Sequence, residues 1–197
     1  EKAGKTIHSG PALALRDFAI NSNPDKPDNR ELLNPNVRKA MEHAINRQEI
    51  VDTAWVGKAS PGDSVLPPTT GTGGQLWYNE NLKTIGYDIN KANRLLDAEG
   101  FKRGSDGIRL AEDGSKMDYE VIFADDESGP GDRAFQIIKA DFEKIGIGLS
   151  QRKLDTSATW DAIYCGEDCE YRDFDLFMWN WHPGQDPNFM MSAMTCE

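Results

Sequence analysis

The sequence predicts an α/β fold, a mixed sheet with flanking helices. From Tyr119 onward, patterns typical of strand, helix, strand, helix and strand alternate along the chain. That order gives parallel neighbours in a sheet. Residues 174–179 (FDLFMW) are almost wholly apolar and contain no helix breaker, which is typical of a strand buried on both faces.

Length and charge narrow the range of functions. The 197 residues can form one sizeable core or two small ones, and the net charge of −11 disfavours a general nucleic-acid binder, which needs a basic face. No run of about 18 apolar residues predicts a membrane span, and no signal peptide is visible. The chain opens without an initiator Met and stops just after a helix-like segment, so we expect a piece of a longer protein.

The first elements are a strand, a loop and two helices. Residues 13–20 suit a strand better than a helix. Residues 21–29 resemble a calcium loop in their alternating Asn and Asp, but Lys26 stands where the motif needs Gly and Leu32 where it needs Glu. We therefore expect a plain surface loop.

Two capped helices should follow this loop. Asn34 and Pro35 give a cap and a first-turn proline, and Asn46 with Glu49 gives a second start signal. An apolar stripe lies at helical spacing at Val37, Ala40, Met41, Ala44 and Ile45, and a second follows at Ile50, Val51, Ala54 and Trp55. His43 lies off the stripe, so we expect it to be exposed to solvent.

The middle of the chain alternates loops with regular elements. Residues 57–74 read as a long Gly- and Pro-rich loop, and Asp88 should cap a helix that stops at Gly100. A hairpin is expected over residues 104–116 and a strand over 119–123. The later elements should be a helix from Gly131 to Gly146, a strand over 148–154 and a short helix from Asp155 or Thr156.

The most informative stretch lies near the end of the chain. The apolar run ends at Trp179, and Asn180, Trp181 and His182 follow it. Pro183, Gly184 and Pro187 then forbid regular structure, and Asp186 with Pro187 starts a helix. Ligands of open α/β sheets sit at the carboxyl ends of strands. We therefore take Trp179, Asn180, Trp181 and His182 as candidate ligand contacts. Trp179 and Trp181 also fit a role as core residues that cap the sheet.

Three cysteines leave the pairing open. Cys165 and Cys169 form a C-x3-C pair, one residue too long for the redox motif and without a second pair for a zinc site. A local disulfide fits an exported protein, with Cys196 left over. Three unconnected thiols fit the sequence as well.

Four segments in order resemble one protein family. They are NPNVRKAMEHAINRQEIVDTAWVGKASPGDSVLPP (34–68), YDINKANRLLDAEGF (87–101), GDRAFQIIKADFEKIGIGLS (131–150) and YRDFDLFMWNWHPGQDPNF (171–189). Together they resemble the extracytoplasmic solute-binding proteins of ABC importers, the dipeptide, oligopeptide and nickel type known as family 5. The resemblance covers nearly all of residues 10–197.

The resemblance implies a place in a two-lobed protein. This chain is similar to the C-terminal lobe of a periplasmic-binding-protein-like clamp (type II, cluster C), with residues 1–33 as inter-lobe connection and 34–197 as lobe core. Such clamps close on ligand about a hinge. The implied partners are a small or oligomeric solute, membrane permease subunits and the missing N-terminal lobe. The implied location is the periplasm or a lipid anchor at the outer face of the membrane, which agrees with a disulfide.

The ligand class stays open at this stage. Peptide-binding relatives carry an Asp in the loop after the strand, at a position that falls at Pro183 here within one residue, and no carboxylate stands between Trp179 and Gln185. That departure speaks against a peptide, and an aromatic loop without an anion suits an oligosaccharide or another neutral ligand about as well, so peptide, oligosaccharide and similar small solutes all stay open. His182 also suits a metal chelate, although a lone histidine is no metal site, and we expect no cofactor and no resident metal.

Two other function classes compete with solute capture. A hydrolase lobe could use an Asp/Glu pair, since carboxylates are plentiful, but Ser157 and Ser192 lack the nucleophile elbow and no histidine lies in a zinc motif. A protein–protein adaptor would need apolar surface patches, which sequence does not reveal. We expect no catalytic residues.

Overall fold

The computed structural model describes residues 14–68, 71–72, 75–124, 129–164, 172–182, 186 and 188–192. The helices are α1 (Pro35–His43), α2 (Arg47–Thr53), α3 (Ile89–Ala98), α4 (Pro130–Ile145), α5 (Thr156–Ile163) and α6 (Asn188–Ser192). The strands are β1 (Leu15–Ile20), β2 (Gly71–Thr72), β3 (Gln75–Leu76), β4 (Asp118–Ala124), β5 (Gly148–Leu154) and β6 (Leu176–Trp181). A 3-10 helix over Arg30–Leu33 precedes α1.

The main sheet is mixed, which confirms the predicted fold class. Its strand order is β1, β6, β4, β5, and β4 pairs in parallel with both β5 and β6. The amide of Asn21 donates to the carbonyl of Asp175, whereas the amide of Trp179 donates to the carboxylate of Asp17. Residue numbers therefore rise along β1 while those of the contacted residues fall along β6, so β1 is antiparallel to β6. Strands β2 and β3 pair antiparallel in a separate sheet. Strand β2 lies within residues 57–74, which were expected to be only loop, and β3 follows directly after that region.

The helices begin at the predicted caps. The side chains of Asn34, Asp88 and Asp155 accept hydrogen bonds from backbone N–H groups in the first turns of α1, α3 and α5. Helix α4 starts at Pro130, one residue before the predicted position, and ends where Gly146 adopts a φ of 78°. That left-handed backbone favours glycine, so the predicted stop is confirmed.

The hydrophobic core lies between one face of the sheet and helices α1, α3 and α4. Its largest members are Phe123, Phe135, Phe142, Tyr119, Met41, Leu96, Met117, Ile145 and Ile147. The neighbouring residues of β4, Ile122 and Ala124, are buried but lie outside this cluster. Since side chains alternate across a strand, they point to the opposite face, where α5 packs on β4 and β5.

His43 is buried, so the expectation of an exposed side chain was wrong. Only 6% of His43 is exposed, and its Nδ1 lies 2.7 Å from the carbonyl oxygen of Gly86. The amide of Asp88 also donates to the carbonyl of His43. The segment before α3 therefore packs on the end of α1 and covers a histidine that the apolar stripe alone would leave outside.

The loop between β1 and the 3-10 helix is anchored, not a plain surface loop as expected. Lys26 is 3% exposed, and its ammonium group lies 2.5 Å from Asp28 and 3.2 Å from Asp175. Asn29 donates to the same oxygen of Asp175 at 2.6 Å, and the other oxygen accepts the backbone N–H of Glu120 at 3.0 Å. We call these five residues the Asp175 network. The sequence pattern could not predict this anchoring, because the partner of Lys26, Asp175, lies far away in the chain.

The chain divides into two compact units. One consists of Glu1–Arg16, Gly62–Lys83 and Asn180–Glu197, and the other of Asp17–Pro61 and Thr84–Trp179. In the described part of the first unit, Tyr78 donates to the carboxylate of Asp63 at 3.1 Å. The second unit holds the core and the Asp175 network. The expected boundary between a connection and a lobe core near residue 34 stays a prediction.

Replacing Lys26 by Met should destabilise the protein by about 2–3 kcal/mol, because it removes the only cation of the Asp175 network and leaves Asp175 largely buried. Urea unfolding measures the loss. The matched control is Lys116→Met, since Lys116 is 59% exposed and pairs with an exposed Asp106. A loss no greater than that of the control would contradict the role given to the network.

The loss of unfolding free energy caused by Lys26→Met should shrink at both high and low pH. Burial opposes the Lys26 charge, but hydrogen bonds to Asp28 and Asp175 outweigh it and raise the pKa of Lys26 above 10.5. The hydrogen bond from Lys26 lowers the pKa of Asp28 below 3.8. The stabilisation should thus persist between these values, fade as the pH rises through the folded pKa of Lys26, and fade again as the pH falls through that of Asp28. Urea unfolding of both proteins at a series of pH values measures this loss of unfolding free energy. A loss that stays constant as the pH falls well below 3.8 would contradict the role given to Asp28.

Candidate functional site

Strand β6 carries the first of the predicted ligand contacts. Leu176 and Met178 are buried in the core, whereas Phe177 and Trp179 on the alternate positions are half-buried. The strand is therefore fully buried on one face only, which corrects the expectation of burial on both faces. It also runs to Trp181, two residues beyond the predicted end, so Asn180 and Trp181 belong to the strand and not to a loop.

Trp179 meets two aromatic residues of α5 that sequence reasoning did not select. Its indole lies 5.8 Å from that of Trp160, centroid to centroid, with the planes at 43°. Trp160 in turn stacks on Tyr164 at 4.8 Å and 12°. We call Tyr164, Trp160 and Trp179 the aromatic column. Trp160 is half-buried and Tyr164 is 51% exposed, so the column runs from the sheet to solvent.

Local structure holds the column in place. The carboxylate of Asp155 accepts the N–H of Ala158 at 2.9 Å and starts α5, while the fully buried Thr159 fixes the helix face that meets the sheet. Tyr164 ends the helix, and the Nε of Arg172 donates to its carbonyl at 2.5 Å. A cation at a helix C-terminus is electrostatically favourable. Both ends of the helix that presents the rings are therefore secured.

Three exposed carboxylates and the cation Arg172 stand close to the column in the chain. Helix α5 carries Asp161 on its exposed surface, Asp155 lies exposed at its start, and Asp173 is 83% exposed beside Arg172 in the chain. The whole chain carries a net charge of −11. A neutral molecule with flat apolar faces can stack on the rings.

The remaining predicted contacts lie in the other unit. Asn180 and Trp181 are half-buried and His182 is exposed. Residues 183–185, including the Pro183 position of the missing carboxylate, lie outside the described residues. Asp186 accepts the N–H of Asn188 at 2.8 Å, which confirms it as the start signal of α6.

Several expectations fall on residues that the structure does not describe. Cys165, Cys169 and Cys196 lie outside the described residues, so the disulfide stays a prediction. Among the described residues, no group of three or more His, Cys, Asp or Glu side chains is arranged to hold a metal ion. Within the same part of the chain, none of the helices has the length and apolarity needed to cross a membrane.

The sequence did contain a signal for the missed aromatic residues. Trp160 and Tyr164 stand four positions apart after the Asp155 cap, the spacing that places two side chains on one helix face. Their contact with Trp179 required knowledge of which face of the sheet α5 covers. Sequence spacing could thus find the helical pair, while the third ring needed the fold.

Comparisons with known proteins agree on one family. The family model described as bacterial extracellular solute-binding proteins, family 5 Middle, matches residues 1–197. The dipeptide-binding protein of Escherichia coli is 25% identical over 162 residues, which are 81% of this chain and 26% of that protein.

Two solved structures share the fold. The oligopeptide-binding protein AppA from Bacillus subtilis, in complex with a nonapeptide, superposes with a TM-score of 0.74 at 21% identity, covering 88% of this chain and 32% of that one. A periplasmic oligopeptide-binding protein from Thermotoga maritima with bound mannohexaose gives a TM-score of 0.65 at 25% identity, covering 84% and 29%. The chain therefore spans about a quarter to a third of the length of these relatives.

The geometry of the column has a spectroscopic consequence. Two indoles 5.8 Å apart should couple their electronic transitions and give an exciton couplet in the far-ultraviolet circular dichroism spectrum. Trp160→Phe and Trp179→Phe should each abolish the couplet, whereas Trp77→Phe, at an exposed indole, should leave it intact. A couplet that persists in both the Trp160→Phe and the Trp179→Phe variant would show that these two indoles do not couple.

Proposed function

The chain belongs to family 5 of the bacterial extracellular solute-binding proteins, and from this membership we propose that it captures a solute for an ABC importer without chemistry of its own. The dipeptide-binding relative from Escherichia coli supports solute binding as the activity. In this proposal the carrier hands its solute to permease subunits in the membrane. It works outside the cytoplasmic membrane, in keeping with the family description.

We further propose that this chain is one lobe, the C-terminal one, of a protein that closes on its ligand. The short coverage supports one part of this proposal, that the chain is a portion of a longer protein, since each match accounts for about a third of the relative or less. An N-terminal lobe would supply the opposing wall of the site, in a hinge closure. We also propose that the protein is held by a lipid anchor and that Cys165 and Cys169 form a disulfide.

The observation that carries the ligand proposal is the aromatic column. Rigid aromatic faces offer a large contact area at low entropic cost, and Tyr164 leaves half of its surface open to solvent. No carboxylate stands between Trp179 and Gln185 to receive a peptide's amino group. A neutral oligosaccharide, whose ring faces are apolar and which needs no carboxylate partner, fits both observations. The relative from Thermotoga maritima with mannohexaose bound supports this choice.

The test uses the complete protein that contains this chain, with mannohexaose, a tripeptide and nickel–histidine as separate probes. Isothermal titration calorimetry should show saturable binding of mannohexaose at affinities typical of specific solutes. The Tyr164→Ala variant should bind roughly two- to tenfold more weakly, the effect of losing one stacking contact. The isolated chain should bind far more weakly than the complete protein, since half of the clamp is absent.

The matched control is Tyr87→Ala, which removes a tyrosine of similar exposure, 40% against 51%, at a residue outside the aromatic column. Its affinity for mannohexaose should equal that of the native protein. Binding of the tripeptide alone would overturn the oligosaccharide proposal and keep solute capture. Turnover of any probe would overturn capture without chemistry.

A further inference from the structure

Asn21 is a buried polar residue that follows β1 directly and lies outside the aromatic column. Only 8% of it is exposed, and its backbone N–H donates to the carbonyl of Asp175 at 2.8 Å. In the calcium-like pattern of residues 21–29 its side chain would supply an oxygen ligand. That oxygen, Oδ1, instead accepts the N–H of Asn23 at 3.1 Å. The side chain therefore has a different role.

The amide nitrogen of Asn21 holds the segment that leads into β6. Nδ2 donates to the carbonyl of Arg172 at 2.9 Å and to the carbonyl of Phe174 at 2.7 Å. A side-chain amide has two N–H donors, so both are used on the backbone of one short segment. Residues 172–174 are thus fixed to the end of β1, although about 150 positions separate the two in the chain.

Arg172 carries this anchoring on to the aromatic column. Its Nε donates at 2.5 Å to the carbonyl of Tyr164, the residue that ends α5. The last carbonyls of a helix lack partners inside the helix, and helix ends fray. Because the ring of Tyr164 stacks on Trp160 at 4.8 Å and is half exposed, a bond to the backbone beneath it limits the orientations of that ring.

We propose that Asn21 is a positioning residue for the solute site, which holds the Tyr164 ring in place through Arg172. The proposal rests on the proposed function, in which that ring stacks on the solute. A ring that is already ordered loses less conformational freedom when a ligand binds, so the affinity is higher. Asn21, Arg172 and Tyr164 all belong to the second compact unit.

The first measurement needs no solute. Asn21→Asp keeps the acceptor for Asn23 and removes both donors, and Arg172→Met removes the bond to Tyr164 directly. In the complete protein, amide hydrogen exchange at the N–H of Tyr164 should become roughly two- to tenfold faster in each variant, the effect of losing one hydrogen bond. The double variant should exchange no faster than the single ones. Arg172→Lys, whose ammonium can still donate to the carbonyl, should exchange more slowly than Arg172→Met.

The matched control is Asn34→Asp, which makes the same substitution at another half-buried asparagine of this unit. It keeps the acceptor for the N–H of Asn36 and removes the donor to Glu99. Exchange at Tyr164 should equal that of the native protein, because the helix end opens locally and does not depend on the stability of α1.

The second measurement is calorimetry with mannohexaose. Asn21→Asp should weaken binding by no more than Tyr164→Ala does, within the same roughly two- to tenfold range. In the Tyr164→Ala background, Asn21→Asp should cause no further loss, because two residues that act through one contact are not additive. Asn34→Asp should bind as the native protein does.

Unchanged exchange at Tyr164 in a folded Asn21→Asp variant would overturn the proposal. Unchanged exchange in Arg172→Met would do so as well, whether or not a variant of Asn21 folds. An equal loss of affinity from Asn21→Asp with and without the Tyr164 ring would also overturn it, because Asn21 would then act by another route. Faster exchange in both variants, together with no binding of mannohexaose to the native protein, would keep the link from Asn21 to Tyr164 and overturn the proposed ligand.

Discussion

The buried ion pair between Lys26 and Asp175 is the constraint on which the rest of the second unit depends. Asp175 immediately precedes β6, and its carboxylate binds Lys26 and Asn29 with one oxygen and the backbone of Glu120 in β4 with the other. In the ladder, Leu176 pairs with Val121. The network therefore fixes the register of β6 against β4 at its first residue. A slip of one residue would exchange the two faces of the strand.

The register of β6 determines which of its side chains enter the core and which face α5. Leu176 and Met178 enter the core, and Trp179 is left to meet Trp160 on the face covered by α5. The aromatic column is thus a consequence of strand pairing, helix capping at Asp155 and the Arg172 bond at Tyr164 acting together. A rigid platform of this kind suits a binding protein, because ligand contact then costs little ordering of side chains.

Much of this fold could be read from local sequence patterns. The caps at Asn34, Asp88 and Asp155 and the stop at Gly146 were predicted because each rests on interactions within one turn. The alternation of strands and helices gave the parallel pairing of β4 with β5 and β6. The errors have a common cause. The burial of His43 and Lys26 and the length of β6 depend on segments that are far away in the chain. A local sequence pattern does not contain that information.

The candidate site shows the same limit. Trp179, Asn180, Trp181 and His182 were selected because they follow an apolar strand, yet the structure groups Trp179 with α5 of its own unit. Amide hydrogen exchange of the complete protein with and without saturating mannohexaose tests the account most directly. We expect slower exchange in α5 and at Trp179 when the sugar is bound. Protection confined to segments away from the aromatic column would contradict it.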